Sequence, residues 1–321
     1  MEQLFFELIR VSIGQLDCLS RGPEPEEWQE LSEMAHEQQM VGVCYRGVQA
    51  LFEYGLRVPQ DLVIDWMSEA EQIEERNDLM NQRCAKVQEM LGDRALLSSV
   101  LAGQGAAHDY AETLRTLRQP DGLDFYTNGS QEELIAFVKR SGQQEVRKDS
   151  QQVFLAMWDD TEVRLHYRIG MGKNPLRNRK IRQWFAKNRK ALFVRDGEMT
   201  RPSATMNVVY MLVRLYWQFL YKGITLRELS DCFFALKRLA EKGGVSTINY
   251  KKVLGGFGIL GFARGIIWVL QEVFGLEEGM QILEPSESQG SFILREVMAG
   301  KRNVLRLLLR YPVDLLFSFI P

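Results

Sequence analysis

The stretch Arg118-Gln119-Pro120-Asp121-Gly122-Leu123-Asp124-Phe125-Tyr126 holds two carboxylates at the start of a short apolar run. Acidic residues at a strand end are a common way to hold Mg2+ against a nucleotide phosphate, because the ion takes carboxylates and leaves positions open for phosphate oxygens. Two ligands on one strand face sit at i and i+2. Asp124 therefore needs a partner at 122, where the chain has Gly122, and Asp121, three positions away, is expected on the other face unless a bulge intervenes. Taken alone, Asp121-Gly122 reads better as a turn than as a metal site. On a second strand, Thr161–Tyr167, the alternation puts Glu162, Arg164 and His166 on one side. Arg164 there opposes a cation, and His166 by itself reads better as a hydrogen-bonded interior histidine than as a ligand.

Two further stretches carry chemistry. Gly103-Gln104-Gly105 ends the apolar run Ala95–Leu101 and is expected to open a helix, so its amides could face a phosphate; a plain strand-to-helix turn is the simpler reading. Lys173–Arg195 contains nine Lys and Arg and no acid, with Trp184 and Phe185 interleaved, the composition of an RNA or phosphate-rich contact. A solvated helix surface and a loop is the commoner explanation, and the acidic stretches Glu24–Glu37 and Asp61–Asp78 could offset it within the fold. Nucleic acid is not the expected partner.

The elements that must position these residues fall into three parts. Residues 1–92 read as helical, ending in Gln60–Leu91, a Gly- and Pro-free stretch long enough to span about 45 Å and brace a second lobe. Residues 93–200 read as a small mixed α/β core, with strands at Leu123–Tyr126, Val153–Trp158 and Val163–Tyr167, a helix at Gln131–Arg140 and a hairpin turn at Asp159-Asp160-Thr161. From about 174 the chain is expected to be helical throughout, with residues 201–321 as a C-terminal helical domain. Ser203 opens the helix Ala204–Tyr221, and Thr225 with Glu228 caps the next one. Later helices are expected near 246–254, 258–274, 285–299 and 301–319, the last ending in the apolar tail Asp314–Pro321.

Composition sets the outer bounds. At 321 residues the chain exceeds the roughly 250–300 at which single cores stop growing. Forty Lys and Arg against 42 Asp and Glu leave a net charge of −2, which argues against a wholesale nucleic-acid or membrane binder. Four scattered cysteines without CxxC spacing and three histidines make a structural zinc site improbable. The N-terminal MEQLFFELIRVSIG carries Glu2 and Glu7 where a secretory signal wants positive charge, and no uncharged apolar run reaches 18 residues, so a cytoplasmic location without a membrane span is expected.

Taken in order, these stretches resemble the bacterial uncharacterised nucleotidyltransferases, a branch of the DNA polymerase beta superfamily. Val100-Leu101-Ala102-Gly103-Gln104-Gly105 is similar to that family's LLKGQG, residues 118–126 to its RQxGDIDLY, and Val163-Arg164-Leu165-His166 with 174–184 to its VEIH and NPLxNRRxQRW. Residues 207–231 resemble its helical motif NxVYxLVHIYRHxxxxGIGLRQLxD. The resemblance implies an α+β fold: a small mixed sheet of the nucleotidyltransferase type with N-terminal helices and a C-terminal helical lobe. It implies a cleft for a nucleoside triphosphate and Mg2+, with Asp124 as metal ligand, Asp121 and Asp124 as the catalytic carboxylates, and Gly103, Gln104, Gly105, Arg118 and Arg164 toward the nucleotide. The acceptor is not specified.

This chain departs from the motifs where that chemistry should be. The motif lysine is Ala102, the first aspartate of the DxD pair is Gly122, the third carboxylate is Arg164, and the two histidines of the helical motif are Arg214 and Gln218. The expectation is thus a nucleotidyltransferase-like protein that is weak or inactive, a pseudoenzyme that retains nucleotide binding. The alternatives are a regulatory or protein-interaction module on the same scaffold, and an active Mg2+-dependent transferase using Asp121 and Asp124.

Overall fold

Before any strand, apolar stripes broken at Pro and Gly build four helices in the computed structural model, which describes residues 1–170, 174–300 and 302–316. They are α1 (Glu2–Ser12), α2 (Pro25–Glu37), α3 (Val41–Glu53) and α4 (Gln60–Gly92). Pro25 sits in the first turn of α2, where its missing N–H has no partner to lose, and Glu24 and Glu27 cap that turn reciprocally. α4 is 33 residues, about 50 Å long, and buries Trp66, Ala70, Asn77, Met80, Cys84 and Val87 along one stripe.

Next come β1 (Ser98–Val100), the short helices α5 (Gln104–Ala107) and α6 (Glu112–Arg115), β2 (Leu123–Thr127), α7 (Gln131–Arg140), β3 (Gln152–Trp158) and β4 (Thr161–His166). The sheet order is β1-β2-β4-β3, with β2 and β4 parallel and the outer pairs antiparallel. All of β2 is buried, as a central strand covered on both faces requires. β4 alternates, burying Thr161, Val163 and Leu165 and turning Glu162, Arg164 and His166 the other way. Arg76 and Arg83 of α4 both grip Asp160 in the β3–β4 turn, so the long helix braces the sheet.

The expectation of unbroken helix after 174 is corrected. α8 (Pro175–Lys187) is followed by a hairpin, β5 (Val194–Asp196) and β6 (Met199–Arg201). Gly197, at φ +62°, supplies the positive φ that a two-residue hairpin turn requires, and three-residue arms are too short to show alternation in sequence.

The remaining helices are α9 (Ala204–Tyr221), α10 (Leu226–Glu241), α11 (Tyr250–Phe257), α12 (Leu260–Phe274), α13 (Glu287–Met298), α14 (Val304–Arg310) and α15 (Pro312–Leu316). The reciprocal Thr225–Glu228 cap opens α10 as expected. The single helix expected over 301–319 is two helices, because Pro312 cannot donate to the ladder; residues 317–321 of the apolar tail lie outside the described residues.

The N- and C-terminal helices share one apolar cluster, in which Phe5, Leu8 and Trp28 meet Phe233, Phe262 and Phe274. Arg10 of α1 reaches the last carbonyls of α12, those of Gln271, Glu272 and Val273, the first of which also accepts from the C-cap Gly275 amide. A second cluster surrounds the sheet and includes Met80, Cys84 and Val87 of α4. Gly42 of α3 lets the loop before β2 come close: a Cβ there would lie 2.3 Å from the Leu117 carbonyl oxygen.

Candidate functional site

Parallel, in-register pairing of β2 with β4 puts Asp124 beside Arg164 and Tyr126 beside His166. Arg164 Nη2 donates to Asp124 Oδ2 at 3.0 Å, and its Nε lies 2.9 Å from Oδ1, off-axis for a hydrogen bond. His166, two residues along the same strand face, has Nε2 2.8 Å from Oδ1. Both carboxylate oxygens are therefore occupied. Burial pushes the Asp124 carboxyl up, but Arg164, the His166 contact and Arg214 outweigh it and hold it well below the ordinary range.

Asp121 does not turn to the opposite face. Arg214 Nη2, on α9, lies 3.7 Å from Asp121 Oδ2 and 4.0 Å from Asp124 Oδ2, so one guanidinium meets both acids. β2 begins at Leu123, and strand alternation does not extend back to Asp121. Arg227 of α10 pairs with Asp121 at 3.4 Å and with Glu228 at 2.5 Å. Burial raises the Asp121 carboxyl; Arg227, Arg118 and Arg214 more than reverse this. Both acids add stability above about pH 4, lost as pH falls through their depressed folded values.

The glycine turn sits against this loop. Gly103 has φ +63°, and a Cβ on it would lie 2.5 Å from the Gly122 carbonyl oxygen. A Cβ on Gly122 would meet Glu162 O at 2.9 Å and Arg164 Nη2 at 3.0 Å, so the arginine fills the room a carboxylate at 122 would need.

The structure takes two expected nucleotide contacts away from the cleft. Gln104 turns inward, donating to Asn81 Oδ1 at 2.8 Å. Arg118 is fully buried, donating to Asp231 at 2.6 and 2.8 Å, so its charge is already balanced. The amide of Gly105 bonds to Ala102 O, and those of Ala106 and Ala107 bond to Gly103 O.

Arg201 of β6 holds the far side of the turn. It donates to Gly105 O at 2.8 Å and pairs with Asp109 and Asp196, both of which also bind Arg238. His108 lies beside this network, and burial together with Arg201 and Arg115 lowers its pKa to about 4 from the ordinary 6.5. An NMR titration of its ring should give a midpoint near 4. Between these values the unfolded chain binds a proton that the folded chain refuses, so stability should fall as pH drops from about 6.5 to about 4, and this part of the slope should vanish in His108→Gln. A ring titrating at 6.5 would mean that the hairpin stands open to water.

A cavity of about 130 Å³ lies between β4 and α9, lined in part by Asp124, Arg164, His166 and Arg214. Sequence reasoning had marked Arg214 and Gln218, which also line it, only as departures from a motif. It missed Asp149, Arg168, Trp217 and Lys222. The available signal was on α9: Tyr210, Val213, Arg214, Trp217 and Gln218 follow i, i+3, i+4, i+7, i+8, a partly polar stripe on an otherwise apolar helix.

Mg2+ prefers an octahedral shell of oxygen ligands, with carboxylates among them. Here Asp124 is occupied on both oxygens and Asp121 faces two guanidiniums. Among the described residues, no group of three or more His, Cys, Asp or Glu could hold a metal ion. The donor set as it stands does not fit magnesium.

Both aromatic residues of the basic segment and one of its arginines are engaged within the fold. Trp184 packs edge-on against Phe257 of α11 at 5.9 Å, Phe185 is buried, and Arg177 pairs with Asp314 at 2.7 Å. Lys173 lies outside the described residues. Among those residues, the ion pairs of the two acidic stretches go to Arg21, His36 and Asp160 and not to this segment. Also among them, no helix is long and apolar enough to cross a membrane.

Compared with known families, residues 24–257, well over half of the chain, match the model of an uncharacterised nucleotidyltransferase family, and the chain belongs to that family. No curated protein and no solved structure matches it.

Proposed function

We propose that this member of the uncharacterised nucleotidyltransferase family binds a nucleotide through its phosphates in the cleft between β4 and α9, without a divalent ion, and that transfer is weak or absent. One observation carries the reading: the in-register carboxylate, Asp124, is held on both oxygens by Arg164 and His166. Metal-dependent nucleotidyl transfer uses two or three carboxylates to fix Mg2+ on the triphosphate and to lower the pKa of the attacking hydroxyl. An arginine in place of one of them opposes the ion while still offering charge to a phosphate oxygen. Loss of a single charge-stabilising group commonly lowers a rate by about 10²–10³.

Isothermal titration with nucleoside triphosphates, with and without Mg2+, tests this together with a radiolabelled transfer assay. Heat without Mg2+ and label incorporation at background are expected. Binding that requires Mg2+, or incorporation that disappears in Asp121→Ala, supports the active transferase instead. No heat under either condition supports a protein-interaction module on the inherited scaffold.

A further inference from the structure

The acids in the cleft are satisfied, whereas among the described residues two of its cations have no acid and a third, Arg214, holds its two acids only at long range. Asp124 is held by Arg164 and His166, and Asp149 accepts from the amides of Gln151 and Gln152 and from the Gln152 side chain at 2.7, 3.1 and 2.8 Å. Among the described residues, Arg168 and Lys222 have no carboxylate at ion-pair distance; they lie over aromatic rings, Arg168 5.4 Å from the Tyr167 centroid and Lys222 4.7 Å from that of Trp217. Arg214 keeps its two carboxylates at 3.7 and 4.0 Å, beyond direct hydrogen-bond length. Arg214 and Lys222 are eight residues apart on and just past α9, about 12 Å at 1.5 Å per residue, and Arg168 faces them from the end of β4. Cations rooted that far apart along the backbone suit a chain of linked phosphates better than a single one.

We propose that the cleft recognises the polyphosphate chain of its ligand directly, with Arg168, Arg214 and Lys222 supplying the positive charge that a divalent cation supplies to a free triphosphate. This rests on the nucleotide-binding reading and adds two commitments to it: affinity rises with the number of linked phosphates, and magnesium weakens binding. Magnesium on the phosphate oxygens removes the charge that these side chains attract and occupies the oxygens they would bond.

The probes are orthophosphate, diphosphate, tripolyphosphate and a nucleoside triphosphate, titrated in magnesium-free buffer and again with magnesium in excess. Tripolyphosphate should bind at least about tenfold more tightly than orthophosphate, and should displace the nucleotide. Excess magnesium should weaken both tripolyphosphate and nucleotide. Arg168 and Lys222 are exposed, so Arg168→Ala and Lys222→Ala should fold normally; each should weaken tripolyphosphate by about tenfold, while exposed Lys251→Ala on α11 changes nothing. Orthophosphate binding as tightly as tripolyphosphate, or magnesium strengthening the complex, overturns the inference. Nucleotide that binds without being displaced by tripolyphosphate overturns it too, but leaves the nucleotide-binding reading standing. Absence of any nucleotide binding removes both.

Discussion

Arg118→Met should lower the stability of the fold by about 3–5 kcal/mol, the range seen when one partner of a buried ion pair is removed. Arg118 and Asp231 are both fully buried and joined by two hydrogen bonds of 2.6 and 2.8 Å. Without the guanidinium, Asp231 is a buried carboxyl with, among the described residues, the Tyr110 hydroxyl at 2.8 Å left to donate to it. It must either hold an unpaired charge or take up a proton. Asp231→Leu should be similarly damaging, since it strands Arg118. The double variant Arg118→Met/Asp231→Leu should recover most of the loss, because desolvating two charges roughly cancels their attraction. Tyr110 then still has Ser230 Oγ at 3.0 Å. The midpoint of urea unfolding, at unchanged slope, measures all three. A loss below about 1 kcal/mol in the single variants would show a solvated pair of the kind found on surfaces. The pair also matters for the site: it ties the loop carrying Asp121 to α10, and Asn77 holds the same loop by donating to the Thr116 and Arg118 carbonyls at 2.6 and 2.8 Å.

The second large effect concerns metal. The double variant Gly122→Asp/Arg164→Glu should bind Mg2+ more tightly than the parent chain. Both changes are needed. A Cβ at 122 meets Arg164 Nη2 at 3.0 Å, so Gly122→Asp alone gives Arg164 a further carboxylate to pair with. With Arg164→Glu the guanidinium is gone, and three carboxylates crowd the ends of β2 and β4. Their repulsion should make the metal-free variant less stable than the parent, and bound metal should restore it, by about 2.7 kcal/mol at a metal concentration 100 times Kd. Thermal unfolding with and without Mg2+ reads this directly, and Mn2+ binding followed by electron paramagnetic resonance reads the site itself. Ala102 is best left alone: it is fully buried in the larger apolar cluster, where a lysine would lose its hydration. A folded double variant indifferent to both ions would mean that positions 122 and 164 do not govern the metal.

Much of the fold was legible because its signals are local. The helix at 131–140, the helix at 204–221 and the Thr225–Glu228 cap occupy the residues their patterns mark. The three longer strands lie within a residue or two of their apolar runs. The β5–β6 hairpin was not legible, since Gly197 in a polar stretch resembles any loop glycine until its three-residue arms pair. Site legibility followed the same divide. Arg164 and His166 belong together on one face by alternation alone, and the structure keeps them so. Plain alternation puts Asp121 on the other face unless a bulge intervenes, but β2 begins only at Leu123 and the loop before it turns Asp121 toward Asp124. Arg118 is chemically indistinguishable in sequence from an arginine that binds a ligand, because its partner, Asp231, is 113 positions away.

Residue order alone marked most of the longer helices and strands and the shared face of Arg164 and His166, since these depend on neighbours a few positions apart. Only the folded chain decided which charges cancel: Arg118 against Asp231, Arg164 and His166 against Asp124, Arg201 and Arg238 against Asp109. It also left Arg168 and Lys222, among the described residues, without a carboxylate at ion-pair distance and Arg214 shared between Asp121 and Asp124. Charge acts through space and is magnified by burial, so its balance is set by contacts between segments distant along the chain.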